Sequence, residues 1–81
     1  TEEIKKTLMP NLEKNHLKEV LGSKVVKVDM LDGIKFICED SSWLLFRLSG
    51  TEPILRIYAE AKSRQRASDM LEFGKKIGAI T

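Results

Sequence analysis

From Lys24 onward the apolar residues recur at every second position, and three short polar turns break the run. Val26, Val28 and Met30 alternate with Lys27 and Asp29 up to the turn signal Asp32-Gly33. Ile34, Phe36 and Cys38 then alternate with Lys35 and Glu39, and Glu39-Asp40-Ser41-Ser42 makes a second turn. Trp43 to Leu48 is apolar on both faces, the pattern of an inner strand or one covered on both sides. After a Ser-Gly-Thr-Glu-Pro turn, Leu55, Ile57, Ala59 and Ala61 take one face and Arg56, Tyr58 and Glu60 the other. Parallel strands need long crossovers, so strands joined by turns this short are antiparallel neighbours. The predicted sheet is a four-stranded meander.

Both flanks are helical in pattern. Glu2 to Leu21 carries acids in its first turn and apolar residues at Ile4, Leu8, Leu12, Leu17, Val20 and Leu21, with Pro10 in the middle. Asn11 suits an N-cap after the proline and Gly22 suits a stop. Two readings stand: one kinked helix, or a helix followed by an irregular arm. At the other end Ser63 suits an N-cap, and Ala67, Met70, Leu71 and Ile77 form an inner stripe. Gly74 inside that helix costs about 1 kcal/mol relative to alanine. A sheet flanked by helices that must bury their stripes gives an α+β, two-layer domain with helices on one face.

At 81 residues the chain holds one domain and one modest core. Its 42% hydrophobic and 32% charged content is that of an ordered globular protein. The net charge of +2 is too small to define a polyanion partner, so any basic site must be local. The single cysteine, Cys38, lies in the apolar alternation and reads as a buried structural thiol in a reducing compartment. No secretory leader or membrane-length apolar run is read in the sequence. A start at Thr1 without methionine suggests a domain of a longer polypeptide or a processed N-terminus.

The chemistry concentrates in Arg47-Leu48-Ser49-Gly50-Thr51-Glu52-Pro53-Ile54-Leu55-Arg56. Two guanidinium groups offer planar forks of donors, Ser49 and Thr51 offer hydroxyls, and a turn at Gly50 can aim backbone N–H groups at one point. That set suits a doubly charged phosphate. Two arginines on adjacent strand ends repel unless an anion lies between them. Glu52 and Pro53 read as loop support: the carboxylate as an acceptor for backbone N–H groups or a brace for an arginine, the proline as a fixed φ. Each element also has a plain reading. Ser-Gly-Thr is common in hairpins, a strand arginine is often paired with a carboxylate (Glu52 or Glu60 here), and Trp43 and Tyr58 are by default packing residues.

Taken whole, the segment resembles the phosphate-binding loop in the C-terminal domain of the α-D-phosphohexomutases, the phosphoglucomutase/phosphomannomutase family. That loop reads Arg-x-Ser-(Gly or Asn)-Thr-Glu-Pro-x-x-Arg. The resemblance extends through Tyr58 and Glu60, and upstream through Asp32-Gly33-Ile34-Lys35-Phe36 and Trp43. It implies a fold like that of the TATA-binding protein, with residues 1–81 as the C-terminal phosphate-binding domain of a larger cytoplasmic enzyme. Such enzymes interconvert hexose 1-phosphates and 6-phosphates through a phosphoserine and a hexose 1,6-bisphosphate, with Mg²⁺ assisting.

The serine and metal-binding segments of the family have no counterpart in this sequence, so the chain is expected to be inactive alone, with no catalytic and no metal residue. Its implied partners are the phosphosugar and the remaining domains of the enzyme, not nucleic acid or membrane. By resemblance Arg47, Ser49, Gly50 and Thr51 contact the non-reacting phosphate, and Arg56 joins them on geometric grounds. The rival reading is a small basic RNA-binding or interaction module, suggested by a helix-backed sheet with Phe36, Trp43, Phe46 and Tyr58.

Overall fold

The computed structural model describes residues 2–48 and 54–80, with side chains over 8–48 and 54–78. Its elements run α1 (Glu2–Lys14), β1 (Glu19–Val20), β2 (Ser23–Asp29), β3 (Ile34–Cys38), β4 (Trp43–Leu48), β5 (Leu55–Glu60) and α2 (Arg64–Ile80). The strands form one antiparallel sheet in sequential order from β1 to β5. The α+β meander expected from the alternation is therefore present, with five strands instead of four.

The extra strand comes from the segment read as helix. α1 ends at Lys14, and Pro10 lies inside it with no break. Asn11 does not cap a second helix; its carbonyl accepts from the Asn15 amide at 2.8 Å. Downstream, Glu19 and Val20 pair with Lys24 and Ser23 through a two-residue turn at Leu21-Gly22. Both turn residues have positive φ, 47° and 84°. That is the signature of a type I′ hairpin, whose twist matches the flanking strands. Gly22 thus turns a hairpin and does not stop a helix.

The period-two reading of β2 also needs correction. The register slips between Val25 and Lys27, so Val26 is an extra residue opposite β3. Such a bulge reverses the facing of everything before it. Val25 and Val28 point to the core, while Val26 and Met30 are 60% and 54% exposed.

One face of the sheet carries the core. Ile34, Phe36 and Cys38 of β3 and Leu44 and Phe46 of β4 are buried against Leu8 and Leu12 of α1 and Met70 of α2. Phe36 and Phe46 meet edge to face, 6.1 Å between centroids, a preferred aromatic geometry. His16 meets Phe36 the same way at 6.3 Å. Cys38 is a buried free thiol, as its place in the alternation requires.

Two local features shape α2, one at its start and one where it meets the sheet. Ser63 caps it, accepting the Arg66 amide at 3.1 Å. A Cβ on Gly74 would lie 2.9 Å from Ile57 Cγ2 and 3.3 Å from Leu44 Cδ1, so the glycine lets the helix approach β4 and β5 closely. The helix-propensity penalty at this position is offset by that close packing.

Candidate phosphate-binding site

β4 and β5 pair from Trp43 opposite Glu60 to Leu48 opposite Leu55, and this register sets Arg47 directly across from Arg56. Opposed residues in an antiparallel pair have Cα atoms about 4.5–5.5 Å apart and project to the same side. Both arginines are exposed. Their alternation with buried Phe46 and half-buried Ile57 puts them on the face away from the helices.

Like charges in that position repel, and nothing among the described residues relieves them. The ion pair in that set joins Lys75 to Glu72 on α2, remote in sequence from both arginines. Glu60 is committed elsewhere: its Oε2 accepts from Trp43 Nε1 at 2.9 Å. No ion pair joins Glu60 to either arginine among the described residues. The pair is a two-cation platform beside the connection between β4 and β5. Ser49, Gly50, Thr51, Glu52 and Pro53, the rest of the predicted loop, lie outside the described residues.

The same face carries an aromatic and apolar row. Trp43, Leu45 and Tyr58 lie along β4 and β5 below the arginines, with Leu45 opposite Tyr58. Lys35 of β3 sets its Nζ 4.5 Å from the centroid of the Trp43 ring, a cation–π contact. Trp43 is thus held on one side by a cation and at its edge by a carboxylate.

The turn between β3 and β4 fixes the opposite end of the sheet. Asp40 accepts the Ser42 amide at 3.0 Å and also the Ser42 hydroxyl. These bonds, with smaller help from the Arg66 charge, hold its carboxyl below the usual aspartate range. Sequence reasoning missed a further anchor. Arg66 of α2 donates to the carbonyls of Val20 and Leu21, each at 2.9 Å, and so ties the first hairpin to the last helix. No local pattern signals it, because the partners are 46 and 45 residues away.

No group of three or more His, Cys, Asp or Glu among the described residues is arranged to hold a metal ion. The described residues therefore offer no ligand set for the magnesium that the resemblance implies. Among the described residues no helix is long and apolar enough to cross a membrane.

A sheet backed by helices on one face thus carries two opposed, exposed arginines on the other. Comparison with known proteins identifies the family. Residues 4–73 match the family described as phosphoglucomutase/phosphomannomutase, C-terminal domain, and the chain belongs to that family. It is 49% identical over 59 residues to a phosphoglucomutase/phosphomannomutase of Thermococcus kodakarensis, covering 73% of this chain and 13% of that protein. It is 48% identical over 59 residues to a phosphoglucosamine/phosphogalactosamine mutase of Sulfurisphaera tokodaii, with the same coverage of 73% and 13%. A phosphopentomutase of Thermococcus kodakarensis is 38% identical over 52 residues, or 64% of this chain and 12% of that one. The chain thus spans a small part of the length of these relatives. The family match does not support the rival RNA-binding or interaction module.

Proposed function

We propose that residues 1–81 form the C-terminal domain of a sugar-phosphate mutase, where they grip the phosphate that is not reacting. The observation that carries this reading is the direct opposition of Arg47 and Arg56 with no described carboxylate between them. A dianion resolves the repulsion and fits two guanidinium forks. Ser49, Thr51 and the N–H groups around Gly50 complete the cradle. Glu52 and Pro53 keep it in shape.

The names of the relatives favour a phosphate role. They carry glucose and mannose, glucosamine and galactosamine, or a pentose, and the phospho group is what they share. A domain present in all three is better suited to the common group than to the variable sugar.

Holding a remote phosphate contributes to turnover. Binding energy from a non-reacting group positions the sugar and favours closure of the cleft around the transferring phosphoryl group. Closure also keeps water from the phosphoserine, which lies elsewhere in the enzyme. In this account a hexose 1-phosphate and 6-phosphate interconvert through the 1,6-bisphosphate, in the cytoplasm and with magnesium held by other domains. The sheet and helices correspond to a TATA-binding-protein-like layer pair. Trp43, Leu45 and Tyr58 pack against neighbouring domains; a full-length structure with all three remote from any domain contact would remove that element.

A nuclear magnetic resonance titration of the labelled chain tests the reading. Hexose phosphate shifts the amides around Gly50 and those of Arg47 and Arg56. Shifts produced by single-stranded RNA at Trp43 and Tyr58, with none produced by hexose phosphate at the loop, would overturn it.

A further inference from the structure

We infer that Gly33 is a positioning residue for Arg47, an inference that rests on the reading of Arg47 as a phosphate contact. β4 lies between β3 and β5, so Arg47 has a neighbour on each side. On one side stands Arg56. On the other, the register that pairs Ile34 with Phe46 brings Gly33, one residue before β3, alongside Arg47.

The approach there is unusually close. A Cβ on Gly33 would overlap the carbonyl oxygen of Phe46 and would lie 3.2 Å from Cα and 3.3 Å from Cβ of Arg47. The residue also has φ of +127°, a conformation that L side chains rarely adopt. Glycine is therefore required twice over, for the turn itself and for its contact with β4.

Phe46 cannot yield to a larger residue. It is fully buried and stacked edge to face on Phe36, within a close-packed core. Strain introduced at position 33 therefore falls on the turn and on Arg47, the next residue along β4 and an exposed one. The bare backbone of Gly33 is the wall that sets where the Arg47 side chain leaves its strand.

Gly22 supplies a matched control. It also has positive φ, +84°, but a Cβ there would meet nothing within 4 Å. Gly22→Ala carries the backbone strain without the collision and without Arg47 nearby.

The test measures binding of glucose 1-phosphate to the full-length enzyme by isothermal titration, with KM and kcat in parallel. Gly33→Ala is expected to raise Kd and KM on the order of tenfold, below the roughly hundredfold that a full ångström of misplacement can cost. Gly22→Ala leaves both at the parent value. In an Arg47→Ala background, Gly33→Ala adds no further loss, because its effect passes through that arginine. Parent-like affinity in Gly33→Ala, with affinity lost in Arg47→Ala, overturns the positioning role and spares the phosphate reading. An equal loss from Gly33→Ala in both backgrounds also overturns it. Parent-like affinity in Arg47→Ala overturns the phosphate reading itself and this inference with it. If Gly33→Ala does not fold, hydrogen exchange in the unsubstituted enzyme decides: glucose 1-phosphate slows exchange across residues 31–34, and unchanged exchange there overturns the inference.

Discussion

Arg47 of β4 stands directly opposite Arg56 of β5, and no described carboxylate lies between them. Like charges facing each other across a strand pair destabilise by about 0.2–1 kcal/mol. Arg56→Gln is therefore expected to stabilise the ligand-free protein slightly. Thermal unfolding with and without inorganic phosphate checks this. The variant melts higher than the parent in phosphate-free buffer and loses that advantage when phosphate is added. A large loss of stability without phosphate would instead mark the arginine as structural.

The hold of Arg66 on the first hairpin gives a second prediction. Arg66→Met keeps an apolar stem but removes both donors to the Val20 and Leu21 carbonyls. Hydrogen bonds to charged groups contribute about 1.5–3 kcal/mol, and partial solvation at this site places the expected loss near the lower end. Denaturant unfolding measures it. Affinity for hexose phosphate stays at the parent value.

Gly74 is expected to resist enlargement even though it sits in a helix. Gly74→Val drives side-chain atoms into Ile57 and Leu44, whose nearest carbons already lie 2.9 and 3.3 Å from a Cβ at this site. Overpacking costs about 1–3 kcal/mol and outweighs any gain in helix propensity. The same denaturant experiment reads the sign.

Asp40 supplies a pH dependence. Its folded-state pKa lies below the ordinary value of 3.8, chiefly through the Ser42 hydroxyl and amide. A depressed carboxyl stabilises the fold at pH values above its unfolded pKa, and that stabilisation is lost as pH falls through the folded value. Asp40→Asn is thus less stable than the parent at pH 7, by about 1 kcal/mol. The difference begins to close near pH 4, roughly the ordinary aspartate pKa, and vanishes at lower pH. A gap that is constant between pH 7 and pH 2 would show that the charge plays no part.

The strands and the arginine pair were legible in the sequence because alternation and turn chemistry are local signals. Arg47 and Arg56 flank one short turn, so their opposition follows once β4 and β5 are antiparallel neighbours. The misreadings have equally local causes. Val20 and Leu21 continue a helical spacing from Leu17, and Leu21 takes a positive φ that leucine rarely adopts, so the first hairpin was concealed. Val26 fits a clean alternation until the bulge shifts the register, and Met30 fits it too but lies past the end of β2 at Asp29. Arg66 and Gly74 act on residues far along the chain, and no window of sequence contains both partners.

Titration calorimetry of a hexose phosphate into the complete enzyme, as parent and as Arg47→Ala, tests the central claim most directly. The substitution is expected to weaken binding by about 1.5–3 kcal/mol, the scale of a charged hydrogen bond, with the unfolding midpoint of the ligand-free protein little changed. An unaltered Kd, or a collapse of the fold in place of a loss of affinity, would contradict it.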